Sequence, residues 1–293
     1  MVFSYVYPNT SEIRQRGGLD ERWKLAQAGG CSFVEVPADL IKKGSEFSAT
    51  EQELGSFLTP QSIATLYKPT QKTSGNIPYI LHTDPSLSRP DNFGKKYHPP
   101  LRWDNPAWVE KFVRMILDLS DFFGMPPAKI EIHPGDRRNS FADIAKSVKK
   151  IQDGYDSSFG TIPEILLENR TGQFVSDGAQ IDGLWNYILQ HNPELRDSFG
   201  IVLDIQQLFT VTKENFLPSF YKIPSASLKG FHIHRLHRPP KIGDGIPWPE
   251  IFTRIAGIEK DLIINPEIHH NNQVAGVIGF CEEQIRSAIT TRG

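Results

Sequence analysis

The sequence has too little net charge and too few cysteines for several classes of protein. Its 293 residues include 32 lysines and arginines against 34 aspartates and glutamates, so the formal charge is −2. Such a chain has no general field that attracts nucleic acid or an anionic membrane, and anion binding must depend on a local cluster of cations. The two cysteines, Cys31 and Cys281, lie near opposite ends of the chain without a CxxC partner. The sequence is therefore neither a disulfide scaffold nor a cysteine-based zinc module.

The sequence also lacks a long hydrophobic run. No stretch of about 18 apolar residues occurs, and no basic segment at the amino terminus leads into an apolar one. Both absences predict a cytoplasmic protein without membrane insertion. No linker rich in Ser, Gly or Pro and no long block of charge divides the chain. We therefore expect a single domain over residues 1–293, and nothing indicates an obligate protein partner.

The chain does contain short apolar runs that alternate with amphipathic segments. Eight candidate strands cover residues 2–7, 32–36, 79–82, 129–133, 164–168, 201–204, 228–234 and 261–265. Helix candidates carry apolar residues three and four apart, and they cover residues 105–123, 141–152, 180–191, 250–258 and 273–290. This alternation is typical of βα units that form a parallel sheet. Eight units in this length predict an α/β fold, a single (β/α)8 TIM barrel.

The longest irregular stretch is a loop over about residues 83–105, rich in proline and basic residues. It follows the third predicted strand, at the end where a barrel builds its active-site face. Loops of this length without secondary structure of their own are more often functional than idle. The stretch therefore predicts a lid or substrate loop, with a plain surface excursion as the alternative.

Most of the apolar runs end in a side chain that binds metals in other proteins. These side chains follow six of the predicted strands, and they are His82, His133, Glu168, Asp204, His232, His234 and Glu267. The carboxyl ends of barrel strands converge on one face, so we expect these groups to lie together. Imidazoles and carboxylates are ligands of Zn, Mn, Fe and Mg, and the histidine content favours the transition metals. Glu168 and Asp204 are the strongest candidates, because a carboxylate placed after buried apolar residues is costly without a partner.

A second group of candidate residues is basic and follows the fourth, fifth and seventh predicted strands. Guanidinium groups suit phosphate or carboxylate recognition. Together with His234, the candidates for substrate or phosphate binding are Arg137, Arg138, Arg170, Arg235, Arg238 and Lys241. The alternative is ordinary surface charge, paired with Asp136, Asp177 and Asp244. The basic group favours a phosphate-bearing substrate, either DNA or a sugar phosphate.

The order of these motifs resembles the xylose isomerase-like TIM-barrel superfamily, which includes sugar isomerases, epimerases and the endonuclease IV family of apurinic/apyrimidinic endonucleases. The segments most similar to the endonuclease branch are LHTDPSLS, IEIHPGD, LLENRTGQ and LDIQQLF. KGFHIHR resembles the seventh strand of the superfamily, and GDGIPWPEIF resembles the turn that follows it. The resemblance implies that His82, His133, Glu168 and Asp204 are metal ligands. It also favours His232 over His234 as the ligand of the seventh strand.

Three positions depart from the endonuclease pattern. Gln207 stands where a histidine follows the strand-six aspartate, and only His237 remains of an Asp-x-His pair. Asn265 stands where a ligand glutamate is expected, with Glu267 two residues further on. These departures put a full trinuclear zinc site in doubt. The resemblance then implies a mono- or binuclear site from His82, His133, Glu168, Asp204, His232 and Glu267, or an isomerase-type site from the last four of these.

Three functions remain open at this point. In the first, a metal-activated water hydrolyses a phosphodiester such as abasic DNA, Glu168 bridges the metals or orients the nucleophile, and the arginines hold the phosphate. In the second, a metal-dependent sugar isomerase or epimerase uses Glu168 and Glu267 to exchange a proton with the substrate carbon. In the third, the barrel binds a ligand without catalysis. The LENRTGQ and HPGD segments favour hydrolysis, with zinc or manganese as the expected metal and magnesium as the alternative, although a DNA enzyme usually has a more basic surface.

Overall fold

The structure is a computed structural model that describes residues 2–10, 18–38, 57–71, 77–83, 89–90, 96–97 and 101–291. Its strands are β1 Phe3–Tyr7, β2 Phe33–Ala38, β3 Tyr79–Thr83, β4 Arg89–Pro90, β5 Lys96–Tyr97, β6 Lys129–Ile132, β7 Glu164–Glu168, β8 Phe199–Asp204, β9 Leu228–His232 and β10 Leu262–Asn265. All of them except β4 and β5 form one parallel sheet, whose strands follow one another in sequence order, and pairing of β1 with β10 closes it into a barrel. The closed barrel confirms the predicted (β/α)8 fold.

Of the nine α-helices in the described residues, five lie where the periodicity predicts them, with ends that differ by up to seven residues, and the four that begin at Leu19, Pro60, Ile205 and Phe216 were not predicted. The nine helices are α1 Leu19–Ala28, α2 Pro60–Leu66, α3 Pro106–Phe123, α4 Phe141–Phe159, α5 Gly178–His191, α6 Ile205–Thr212, α7 Phe216–Lys222, α8 Trp248–Ile255 and α9 Asn271–Thr290. Local sequence explains the boundaries. The Asn105 side chain accepts hydrogen bonds from the first free N–H groups of α3, and Gly124 ends that helix in the left-handed region at φ 74°. In the part of the chain that the structure describes, no helix is both long and apolar enough to span a membrane.

Side-chain alternation along the strands divides the barrel interior into an apolar layer and a polar layer. Every second residue of a strand faces the same side of the sheet. One apolar cluster contains a residue from each of five strands, namely Val6, Ile80, Leu166, Val202 and Ile263. Two positions further along four of these strands stand His82, Glu168, Asp204 and Asn265. The polar residues therefore lie above the apolar layer, at the carboxyl end of the barrel.

The predicted loop over about residues 83–105 is described only in part. Residues 84–88, 91–95 and 98–100 lie outside the described residues, so its predicted role as a lid or substrate loop stays a prediction. β4 and β5 lie within this stretch and pair in antiparallel fashion. At the end of the stretch, the indole N–H of Trp103 donates to the carbonyl of His133 at 2.8 Å. This hydrogen bond attaches the end of the loop to a candidate metal ligand.

Candidate metal centre

Three side chains from β3, β6 and β7 form the first candidate ligand set. His82 Nε2 lies 3.2 Å from His133 Nε2 and 3.2 Å from Glu168 Oε2. The third distance, from His133 Nε2 to Glu168 Oε2, is 3.5 Å. A tetrahedral ion with ligand bonds of about 2.0–2.1 Å holds its ligand atoms roughly 3.3 Å apart. The first set therefore already has the spacing that a zinc-sized ion requires.

The second candidate ligand set shares Glu168 with the first. It consists of Glu168, Asp204, His232 and Glu267, whose ligand atoms all lie within 4.8 Å of one another. His232 Nδ1 is 3.3 Å from Glu267 Oε2 and 3.7 Å from Glu168 Oε2. This second set contains the four residues that the resemblance implied for an isomerase-type site. Because Glu168 belongs to both sets, two ions in them would share one bridging carboxylate.

Several ligand atoms of the two sets have no hydrogen-bond partner among the described residues, although all of them are buried. They are both oxygens of Glu168, Oε2 of Glu267, and the Nδ1 atoms of His133 and His232. An unsatisfied buried polar atom is costly, and native structures contain few of them. Bound cations would satisfy the two oxygens of Glu168, Oε2 of Glu267 and Nδ1 of His232. They would not reach Nδ1 of His133, because His133 faces the first set with its other ring nitrogen, Nε2. The mixture of imidazoles and carboxylates suits zinc or manganese.

The buried carboxylates and imidazoles shift one another's proton affinities. Burial raises the pKa of Glu168, and despite the opposing charge of His232 this pKa stands at about 7. Burial and the positive charge of His82 lower the pKa of His133 well below its ordinary value, so His133 is a neutral imidazole. Burial also disfavours the charged form of His82, but the negative charges of nearby carboxylates raise its pKa well above the ordinary value, and Glu131 has the largest of these effects. The centre therefore attracts positive charge, in the form of a proton or a metal ion.

Two further glutamates in this layer, Glu35 and Glu131, were not among the residues predicted from sequence. Glu35 Oε1 lies 2.7 Å from Nδ1 of His82, on the side of the ring opposite to the first ligand set. Glu131 Oε1 lies 2.8 Å from Nε2 of His232, opposite to the second ligand set. Carboxylates in this position orient a metal-binding imidazole and increase its basicity. The signal for them is a lone glutamate in mid-strand, in FVEV and KIEI.

Two of the three departures from the endonuclease pattern, Gln207 and Asn265, have local explanations. The Gln207 side chain accepts a hydrogen bond from the backbone N–H of Thr171 at 3.2 Å, so it links two loops. Asn265 donates to Glu35 Oε2 at 3.0 Å and thereby supports the carboxylate beside His82. Glu267, two residues further on, belongs to the second ligand set.

A third group of potential ligands consists of His234, His237 and Glu267. His234 Nε2 lies 3.3 Å from Asp204 Oδ2 and 3.1 Å from Glu267 Oε2. Asp204 and Glu267 both face Nε2 of His234, and their charges raise the pKa of this ring against the effect of burial. The ring of His237 stacks on that of His234, with centroids 4.7 Å apart and planes 5° apart. The group therefore adjoins the second ligand set through Asp204 and Glu267.

The predicted basic residues differ in how they are placed around the centre. Arg138 is paired with Asp136 at 2.9 Å, as expected of surface charge. Arg170 and Arg235 are half-buried, and neither has a carboxylate within ion-pair distance among the described residues. Arg170 is close enough to His133 for its charge to lower the pKa of that imidazole, after burial and His82. The remaining predicted cations are exposed, namely Arg137, Arg238 and Lys241.

Arg235 lines a cavity of about 560 Å³, together with Gln206, Phe209 and Glu214. Its Nη1 donates to Gln206 Oε1 at 2.8 Å, and its guanidinium lies 5.6 Å from the centroid of the Phe209 ring. Asp244, an expected partner of the basic residues, accepts from backbone N–H groups of its own turn and from the Trp248 indole. Arg235 therefore keeps a charge that no described carboxylate neutralises.

Comparisons with known proteins find similar structures but no similar sequences. No protein-family model and no curated protein matches the chain. A 3-keto-D-glucoside 4-epimerase from E. coli is similar over 97% of this chain and 99% of its own, with a TM-score of 0.55 at 11% identity. An AP endonuclease of family 2 from Brucella melitensis is similar over 96% and 98%, with a TM-score of 0.52 at 11% identity.

A fusion of a xylose isomerase-like TIM barrel with 4-hydroxyphenylpyruvate dioxygenase is similar over 100% of this chain and 44% of its own, with a TM-score of 0.54 at 14% identity. Identities this low establish the fold alone. The chain shares the (β/α)8 barrel fold with these proteins.

Proposed function

We propose that the protein is a divalent-metal-dependent hydrolase that cleaves phosphodiesters, with zinc or manganese in two positions bridged by Glu168. One observation carries the proposal. His82 and His133 do not belong to the second set, but with Glu168 they form a ligand set of their own, whose ligand atoms are 3.2–3.5 Å apart. Paired metal ions are typical of phosphatases and nucleases, in which they stabilise the attacking and leaving oxygens.

The residues around the ligand sets suit this reaction. When bound, the metals lower the pKa of a water molecule toward neutrality and neutralise phosphate charge. Arg170 and Arg235 hold the anionic substrate, because both are half-buried cations that no described carboxylate neutralises. The exposed Arg137, Arg238 and Lys241 add positive charge at greater distance. Abasic DNA is the first substrate to test, since the sequence motifs resemble the endonuclease branch.

The second candidate function is a metal-dependent sugar or sugar-phosphate epimerase or isomerase. The second ligand set is complete without His82 and His133. In this reaction, Glu168 and Glu267 would exchange a proton with a substrate carbon between them. The basic residues would then bind the phosphate of a sugar phosphate.

Metal analysis of purified protein separates the two candidates. We expect two equivalents of zinc or manganese in the wild type and one in His133→Ala. The matched control is His191→Ala, which removes a histidine at the end of α5 whose ring lies 4.5 Å from that of Tyr187 and does not belong to the centre. One equivalent that does not depend on His133 would favour the epimerase. Protein that stays metal-free in excess metal would leave only ligand binding without catalysis.

An activity assay completes the test. We expect the metal-loaded protein to cleave an oligonucleotide that contains one abasic site, and Glu168→Gln to abolish cleavage. His133→Ala should reduce cleavage strongly, while His191→Ala should retain it. Full activity in Glu168→Gln would contradict the site assignment. Epimerisation of ketohexoses or their phosphates without cleavage of DNA would favour the second candidate.

A further inference from the structure

The two ring nitrogens of His234 have different partners. Nδ1 accepts a hydrogen bond from the backbone N–H of His237 at 3.1 Å. Because a backbone N–H can only donate, Nδ1 carries a lone pair and no proton. The neutral ring must then carry its proton on Nε2. Nε2–H donates to Asp204 Oδ2 at 3.3 Å and lies 3.1 Å from Glu267 Oε2.

A strained turn places the N–H that His234 accepts. Arg235 and Arg238 pair through two backbone hydrogen bonds of 2.9 and 3.1 Å, with Leu236 and His237 between them. Both central residues have positive φ, 51° and 54°. Such a two-residue turn normally contains glycine, asparagine or aspartate. Strained backbone of this kind persists where the surrounding structure enforces it, and it is concentrated at functional sites.

A second hydrogen bond attaches this turn to the metal centre. His237 Nδ1 donates to the backbone carbonyl of Glu267 at 3.3 Å. The turn is therefore connected to the loop that carries Glu267, as well as to His234. Leu236, at the tip of the turn, is 64% exposed, so its own packing does not explain the strain.

We infer that His234 is a positioning residue, which holds Asp204 for the second ligand set through its Nε2–H and has Glu267 at ion-pair distance from the same nitrogen. A metal ligand must offer a lone pair, and here Nε2 carries the proton. The His234, His237 and Glu267 group is thus not a third metal site, although its atoms lie close together. The inference rests on the proposed metal centre, and it names a residue that supports the ligands from outside. Carboxylate ligands in metal sites are commonly fixed by such outer hydrogen bonds.

Nitrogen-15 NMR of protein labelled at histidine tests the protonation pattern directly. We expect His234 to show an unprotonated Nδ1 and a protonated Nε2, in metal-free and in zinc-loaded protein. A proton on Nδ1, or loss of the Nε2 proton on adding zinc, would overturn the inference. His237→Asn is the control, since asparagine keeps the backbone N–H and tolerates positive φ. We expect this variant to leave the His234 pattern unchanged.

Titration with cadmium or zinc tests the role. We expect two ions in the wild type and in His237→Asn. His234→Ala should also bind two ions at saturation, with one bound about 10–100-fold more weakly. His234→Gln should recover part of this affinity, because its amide N–H can donate to Asp204. A third ion that is lost in both His234→Ala and His237→Asn would overturn the inference and leave the metal-dependent function intact. Protein that binds no metal at all would instead overturn the proposed function.

Discussion

Glu168 should destabilise the protein when metal is absent, and replacing it with glutamine should stabilise the metal-free fold. Its side chain is fully buried, and neither oxygen has a hydrogen-bond partner among the described residues. Burial raises the pKa of Glu168 from 4.5 to about 7. The folded protein therefore binds this proton more tightly than the unfolded chain does. The stability that protonated Glu168 contributes is complete below pH 4.5 and is lost as the pH rises to about 7.

The size of the effect follows from this shift. Each pKa unit corresponds to about 1.4 kcal/mol. Above pH 7, ionised Glu168 therefore lowers the free energy of unfolding by about 3 kcal/mol, and at pH 5 by about 1 kcal/mol. Glutamine resembles the protonated acid and does not ionise. We expect Glu168→Gln to be more stable than the wild type by about these amounts, although it loses the bridging ligand.

Urea unfolding of metal-free protein, followed by tryptophan fluorescence at several pH values, measures this difference. Glu164→Gln is a matched control on the same strand. Burial by itself would raise the pKa of Glu164, but nearby positive charge, mainly that of Lys129, lowers this pKa below its ordinary value. Ionised Glu164 therefore stabilises the fold at pH values above the pKa that it has in the unfolded chain, and this stabilisation is lost as the pH falls. Glu164→Gln should accordingly be less stable than the wild type at pH 8. A Glu168→Gln variant that is no more stable at pH 8 than at pH 5, relative to wild type, would refute the reasoning.

Three further predictions concern the centre and its supports. Glu131→Gln should weaken metal binding at the second set about 10–100-fold by calorimetry, because Glu131 lies 2.8 Å from His232 Nε2; unchanged affinity would contradict this. Gly135→Ala should lower the urea midpoint, because Gly135 has φ +70° and a Cβ there would lie 2.3 Å from Asn139 Nδ2 and 2.6 Å from the Leu101 carbonyl oxygen. A midpoint equal to that of the wild type would show that the turn relaxes to accept the methyl group. Zinc at about 100 times its Kd should stabilise the fold by about 3 kcal/mol per site, reversed by a chelator; an unchanged thermal midpoint would argue against bound metal.

Local sequence contains much of the information about the fold. Apolar runs at the spacing of βα units predict the eight strands and their parallel pairing, because a parallel neighbour requires a crossover helix. Predicted strand ends differ from the observed ones by a few residues, as in the seventh strand, which ends at His232. The candidate ligands at the strand ends also follow from sequence, since all barrel strands point their carboxyl ends to one face. His82, His133, Glu168, Asp204, His232 and Glu267 do lie together there.

Tertiary structure alone determined how these residues divide into sets. The family resemblance implies a bridging role for Glu168, but the distances that place it in both sets depend on the register between neighbouring strands. The resemblance also favours His232 over His234 as a ligand, but it does not indicate the hydrogen bond to Nδ1 of His234, which comes from a strained turn. Glu35 and Glu131 lie within their strands and not at the strand ends, and they contact imidazoles only because closure of the barrel brings the strands around a common axis. Sequence determines which groups reach the carboxyl face, but the distances between those groups depend on strand register and barrel closure.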